Sequence, residues 1–163
     1  MTVTALLLLG ANRGSRAGNL RRAVARFRRT AGCRVLGVSR IYETAPVGPS
    51  QRPYLNQAVR LSTTRTPMGL LLEAKMEEAA AGRRPGKRWG ARALDVDLIS
   101  YGMRRIRTPW LTVPHPRVIE RPFALAPLCD VAPRWKPDGR RTAAAWLTAW
   151  KPDARIVKLW SHG

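Results

Sequence analysis

Apolar and polar positions change period several times along the chain, and each change marks an element. Residues 3 to 9, within "VTALLLLG", form an almost unbroken apolar run closed by the Gly/Asn turn "GANRGS", the pattern of a buried strand. A helix follows. Leu20, Val24 and Phe27 recur at spacings of four and three, while Arg21, Arg22, Arg26, Arg28 and Arg29 cover the remaining surface and Gly32 ends the segment. The β-branched stretch "CRVLGVSRIYET" predicts a second strand, "APVGPSQRPY" a loop that its prolines keep irregular, and "LNQAVRLSTT" a third strand. Thr66 and Pro67 form a cap and first-turn pair for the helical run "MGLLLEAKMEEAAA", which Gly82 stops.

Beyond a basic, glycine-flanked loop "GRRPGKRWG", a fourth strand is predicted over 94 to 101. "MRRIRTPWLTVPHP" reads as a short strand or hairpin running into an extended loop, and helical stretches are predicted around 117 to 130 and 142 to 150. "RIVKLW" supplies a last strand. Strands and helices interleave without regular βα alternation, so the expected architecture is a single α/β (α+β) domain over residues 1 to 163. Its sheet should be mainly antiparallel, with helices packed on it.

Composition sharpens this picture in three ways. A hydrophobic content of 45%, with 13 Gly and 13 Pro spread along the chain, argues for a packed core and against disorder. The opening apolar run stops at Gly10 without a preceding basic segment, which fits a strand better than a signal peptide; no stretch has transmembrane length. Cys33 and Cys129 lie far apart without metal-ligand spacing, so free thiols in a reducing cytoplasm are expected.

Charge is the outlier, with 30 basic residues against 10 acidic ones and a net +20. Such a surface attracts polyanions, and a basic nucleic-acid-binding protein without catalysis is the competing reading. The arginines are scattered through every segment instead of forming one tail or stripe, so no specific nucleic-acid partner is expected.

The candidate chemistry lies in "RALDVDLISYG". On a strand, side chains two apart face the same way about 7 Å from one another. Asp95 and Asp97 therefore share a face, with Leu94, Val96 and Leu98 turned to the other. Two carboxylates so placed repel unless a cation lies between them, and a hard divalent ion such as Mg²⁺ takes such oxygen ligands while keeping room for water and phosphate. A solvent-facing strand edge, or simple Asp–Arg pairing, would account for an isolated pair equally well. What distinguishes this pair is its neighbourhood: Arg83, Arg84, Lys87, Arg88 and Arg92 precede it on a glycine-bounded loop. Guanidinium groups bind phosphate bidentately, and carboxylates, Mg²⁺ and arginines are the parts that phosphoryl transfer requires. No GxxxxGK[ST] loop is present.

The segments "LGANRG", "YETAPVG", "YLNQAV", "EEAAAGR", "RWGARALDVDLISYG", "LTVPHPR" and "RPFALAPLCDVAP" occur in this order over about residues 3 to 135. In combination the chain resembles the 6-hydroxymethyl-7,8-dihydropterin pyrophosphokinase family of folate synthesis. The resemblance implies a ferredoxin-like fold and transfer of pyrophosphate from ATP to the pterin hydroxymethyl oxygen, with release of AMP. It further implies two Mg²⁺ ions held by Asp95 and Asp97, one of which would also orient the attacking hydroxyl, with Arg83 and Arg92 neutralising the phosphates.

By the same resemblance, Tyr54 and Phe123 match a pair that stacks on the pterin, Asn56 reads its edge, and backbone groups around Thr44, Ala45 and Val47 complete that edge. Without it, both aromatics would be read as ordinary core. Trp89 resembles a residue closing over the site from the loop, and His115 a phosphate-contacting histidine. Glu78, Arg84, Leu98, Thr112 and Arg121 fall at nucleotide-binding positions. Glu78 shares a helix face with Leu71 and Ala74, so its charge needs a partner such as a loop arginine. Ala11, Ala91 and Ala93 depart from the usual pattern, the loop from Arg83 to Trp89 is short, and Trp110 stands where some relatives carry a basic residue. The expected partners are ATP and the pterin, with no membrane, and the expected state is a cytoplasmic monomer.

Overall fold

A computed structural model of the protein describes residues 1–45, 52–82, 91–150 and 157–161. Its elements run β1 (Val3–Ala11), α1 (Arg16–Arg29), β2 (Cys33–Val38), β3 (Tyr42–Thr44), β4 (Tyr54–Thr63), α2 (Pro67–Ala80) and β5 (Asp95–Tyr101). They continue with β6 (Ile106–Arg107), β7 (Thr112–Val113), a 3₁₀ turn at Val118–Glu120, α3 (Pro122–Val131), α4 (Ala143–Trp150) and β8 (Val157–Leu159). The main sheet has the order β5-β1-β4-β3-β8, with β2 also paired to β4, and every pairing is antiparallel. β6 and β7 form a separate two-stranded ribbon. The helical crossovers after β1 and β4 leave β1 and β4 adjacent at the centre, the split βαβ arrangement of a ferredoxin-like fold. Among the described residues no helix is long and apolar enough to cross a membrane.

Two cores sandwich the sheet. On one face the odd-numbered residues of β1 and β4 point inward: Ala5, Leu7, Leu9, Leu55, Val59 and Leu61 pack with Val96 and Leu98 of β5. Against them lie Leu20, Val24 and Phe27 of α1 and Leu70 and Ala74 of α2. On the other face Leu6, Leu8, Ala58 and Ile99 pack against Val118, Ala124, Leu128 and Val131. α1 and α2 therefore cover one side of the sheet, and α3 covers part of the other.

Local chemistry explains the element ends. Thr66 caps α2 by accepting the Gly69 N–H (3.1 Å), Pro67 takes the first turn, and the chain leaves the helix through Gly82 at φ +87°. The single second strand predicted over "CRVLGVSRIYET" is instead two, β2 and β3, broken at Ser39–Ile41. Ser39 causes the break: its hydroxyl oxygen accepts the Ala58 N–H (2.8 Å), replacing a ladder carbonyl. Arg40 then turns outward and is held by Asp130 of α3 through its backbone N–H (3.0 Å) and guanidinium (2.8 Å). The helical stretch expected around 117 to 130 is likewise divided at Arg121, where a 3₁₀ turn gives way to α3 with Pro122 in its first turn.

Candidate active site

β5 lies at one edge of the sheet beside β1, with Gly10 opposite Asp95 and Leu8 opposite Asp97. The two carboxylates thus share the α3 side of the sheet, and Val96 and Leu98 occupy the opposite core, as the alternation predicts. α3 does not cover this end of the face, so both carboxylates remain half-buried.

β1 and β4 bring the next groups in. Gly10 pairs with Asn56, and a Cβ on Gly10 would meet Asn56 Oδ1 at 3.4 Å and the Tyr54 ring at 3.7 Å. Tyr54 and Asn56 therefore stand on the same face as the aspartates, and the missing side chain at Gly10 leaves a floor between them. Asn56 is buried and donates from Nδ2 to Thr44 Oγ1 (2.9 Å), which fixes its amide. Thr44 is buried at the end of β3, and Ala45 follows it at the surface. Phe123, in the first turn of α3, packs at the border of the core on this side, with the Arg121 guanidinium 5.8 Å from its ring centre.

Charge around the aspartates is unevenly distributed. Arg92 Nη1 donates to Asp95 Oδ1 (2.8 Å). Burial works against the Arg92 charge, but Asp95, Tyr54 and Glu78 outweigh it and hold its pKa above the ordinary arginine value. Burial and then the charge of Asp95 push Asp97 up to about 6, against the smaller pull of Lys75 and Arg121. Burial also raises the Tyr54 phenol. His115 is anchored by its backbone N–H, which donates to the Ile99 carbonyl (2.8 Å), and its imidazole pKa is lowered by burial and by Arg121 and Arg117. Its Nδ1 accepts the Arg117 N–H (3.3 Å), so the neutral ring carries its proton on Nε2.

Glu78 is almost fully buried beneath β5, where Oε1 accepts the Val96 N–H (2.9 Å) and both oxygens receive Lys75 Nζ (3.2 Å). Among the described residues a lysine one turn back and a strand amide thus serve its charge; the loop residues 83–90, expected to supply an arginine, lie outside them. Thr112 lines a groove of about 530 Å³ beside the β6–β7 ribbon, together with Arg105, Arg107 and Pro116. The Leu98 side chain belongs to the opposite core, so only backbone atoms at that position could meet a ligand on this side. Val47, Arg83, Arg84 and Trp89 lie outside the described residues.

Asn12 and Asn19, which the sequence pattern leaves unmarked, hold this arrangement together. Asn12, buried after β1, accepts the Arg92 N–H at Oδ1 (2.7 Å) and donates its own N–H to the Arg92 carbonyl (3.0 Å). Asn19 of α1 donates from Nδ2 to the Ala93 carbonyl (2.7 Å). Asn12 sits within "LGANRG" and Asn19 five residues beyond it, and neither an asparagine at a strand end nor one in a helix gives a local sign of the segment before β5 that it will clamp.

The donor set suits a hard divalent ion. Two carboxylates share one face, one of them is disfavoured as an anion, and among the described residues no cluster of three His, Cys, Asp or Glu surrounds them. A pair of carboxylates is the number Mg²⁺ takes when water and phosphate oxygens fill its other positions.

Comparison with known proteins agrees with the sequence pattern. Residues 6–133 match the family described as 7,8-dihydro-6-hydroxymethylpterin-pyrophosphokinase (HPPK). The 2-amino-4-hydroxy-6-hydroxymethyldihydropteridine pyrophosphokinase of Bacillus subtilis (strain 168) is 37% identical over 163 residues, covering 99% of this chain and 93% of the relative. The enzyme of the same name from Methylorubrum extorquens is 41% identical over 130 residues, covering 79% of this chain and 82% of its own. A crystal structure of Plasmodium falciparum HPPK-DHPS A437G superimposes with a TM-score of 0.72 at 14% identity, over 92% of this chain and 46% of that one, a likeness of fold. With the family pattern matched over most of its length and the Bacillus relative covered nearly end to end, the chain belongs to the 7,8-dihydro-6-hydroxymethylpterin-pyrophosphokinase family.

Proposed function

We propose that the face shared by Asp95, Asp97, Asn56 and Tyr54 is where this protein carries out the reaction of its family in folate synthesis, the transfer of the pyrophosphoryl group of ATP to 6-hydroxymethyl-7,8-dihydropterin. The new bond joins the hydroxymethyl oxygen to the β-phosphorus, the bond between the β-phosphorus and the α–β bridging oxygen breaks, and AMP leaves. The observation that carries this reading is the convergence of those four residues from adjacent strands, in a chain of this family.

Asp95 and Asp97 would hold two Mg²⁺ ions, which when bound offset the charge of the triphosphate. The remaining work falls to side chains. Arg92 is already drawn toward the carboxylates by Asp95, and together with Arg83 and Arg84 it would neutralise phosphate oxygens as charge moves. His115, neutral with Nε2–H available, and Arg121 would donate to the phosphates, while Thr112 and the Leu98 backbone would frame the nucleotide and Glu78 would act from beneath, through its hold on the Val96 N–H of β5.

On the other side, Asn56 has its amide orientation set by Thr44, which suits it to read a heterocycle edge. Tyr54, Phe123 and Trp89 would supply flat apolar contacts, and Thr44, Ala45 and Val47 backbone groups would complete the edge. Either Asp95 or Asp97 would orient the attacking hydroxyl. The chain is proposed to act as one domain over residues 1–163, as a cytoplasmic monomer.

The test is to incubate the protein with ATP, Mg²⁺ and the hydroxymethyl pterin and to separate the nucleotides. AMP should form one for one with pterin diphosphate and only when both substrates are present. Formation of ADP, or AMP release that ignores the pterin, would reject the proposal.

A further inference from the structure

Most of the net charge of +20 lies outside the chemistry above, and a large share of it is carried by α1. That helix, RAGNLRRAVARFRR, carries six arginines, no lysine and no acidic residue. Arg16 is tied to Glu43 (3.1 Å) and Arg26 to Glu77 (2.7 Å). Arg21, Arg22, Arg28 and Arg29 are exposed and make no salt bridge among the described residues; Arg22 donates to the neutral Asn19 amide oxygen. Arg21 with Arg28, and Arg22 with Arg29, are seven residues apart, so they form two lines along the helix, each pair separated by about 10.5 Å. A helix C-terminus favours cations, which accounts for Arg26, Arg28 and Arg29; it does not account for Arg21 and Arg22 near the middle.

We infer that the outer face of α1 docks the phosphate backbone of a nucleic acid, without reading its sequence. Guanidinium groups pair bidentately with phosphate, and an all-arginine face is chemically matched to it. An anionic membrane is the poorer occupant. An interfacial helix must offer its apolar face to lipid, but Ala17, Leu20, Ala23, Val24 and Phe27 of α1 are buried in the protein core. A protein partner is also disfavoured, because the exposed face has no apolar centre around which such an interface packs. α1 lies across the sheet from Asp95 and Asp97, so a chain docked this way keeps its catalytic face open.

The experiment is fluorescence anisotropy of a labelled, mixed-sequence DNA duplex with the full chain, followed against salt. Four phosphate contacts predict a slope of log K on log[salt] of about −3.6, or roughly a hundredfold loss of affinity between about 50 and 200 mM salt. Two fourfold variants with the same net charge separate a localised site from diffuse attraction. R21Q/R22Q/R28Q/R29Q should flatten the slope and weaken binding at least tenfold. R34Q/R104Q/R134Q/R140Q, which neutralises exposed arginines elsewhere, should retain most of it. Circular dichroism and pterin-dependent AMP release should be unchanged in the α1 variant. Equal loss in both variants, or tighter binding to phosphatidylglycerol vesicles than to the duplex at equal phosphate, would overturn the inference.

Discussion

Replacing Asp97 with asparagine should make the ligand-free protein more stable at neutral pH while removing its activity. Asp97 rises from an ordinary 3.8 to about 6, chiefly through burial and then through Asp95. The folded protein therefore binds this proton more tightly than the unfolded chain does. Between about pH 4 and 6 it holds more protons, and its stability falls as pH rises through that window. Below 3.8 the penalty is absent, and above about 6 it is present in full.

A difference of about two pH units corresponds to about 3 kcal/mol at 1.36 kcal/mol per unit. Asp97 is half-buried by surface, so solvent screening brings the expected effect to about 1–2 kcal/mol. Asparagine has nearly the same shape and no charge, so it should recover that amount at neutral pH. Urea unfolding of both proteins, without divalent ions, at about pH 4.5 and about pH 7.5 makes the comparison. The variant should lead clearly at the higher pH and by less than half as much at the lower. Adding Mg²⁺ and a non-hydrolysable ATP analogue should stabilise the parent and leave the variant almost unmoved. A destabilised variant at about pH 7.5, or a gap independent of pH, would refute the argument that Asp97 is held at a cost.

Four further outcomes are expected. Arg92→Ala should lower kcat by about 10²–10³ in steady-state assays, and an unchanged kcat would remove Arg92 from the chemistry. Asn12→Ala leaves the Arg92 N–H without its side-chain acceptor and should cost about 1–3 kcal/mol in urea melts, with a fall in kcat larger than any change in KM. Gly10→Leu fills the floor between Tyr54 and Asn56; calorimetry should show pterin affinity reduced at least tenfold and nucleotide affinity nearly intact. Chelation of divalent ions by EDTA should abolish turnover without altering the circular dichroism spectrum, and turnover that persists would reject the Mg²⁺ assignment.

Much of this protein follows from local pattern. The order of elements, the caps of α2 and the shared face of Asp95 and Asp97 depend on spacings of a few residues, and backbone geometry turns those spacings directly into direction. Tertiary structure alone decided what stands beside what. Strand order brings β1 between β4 and β5, so that Gly10 becomes the floor separating Asn56 from Asp95, which lies far along the chain from both. Asn12 and Asn19 become clamps on Arg92 and Ala93 for the same reason, and the split into β2 and β3 depends on Ser39 meeting Ala58. These contacts are set by hydrogen-bond partners far away in sequence, and periodicity carries no information about the identity of such partners.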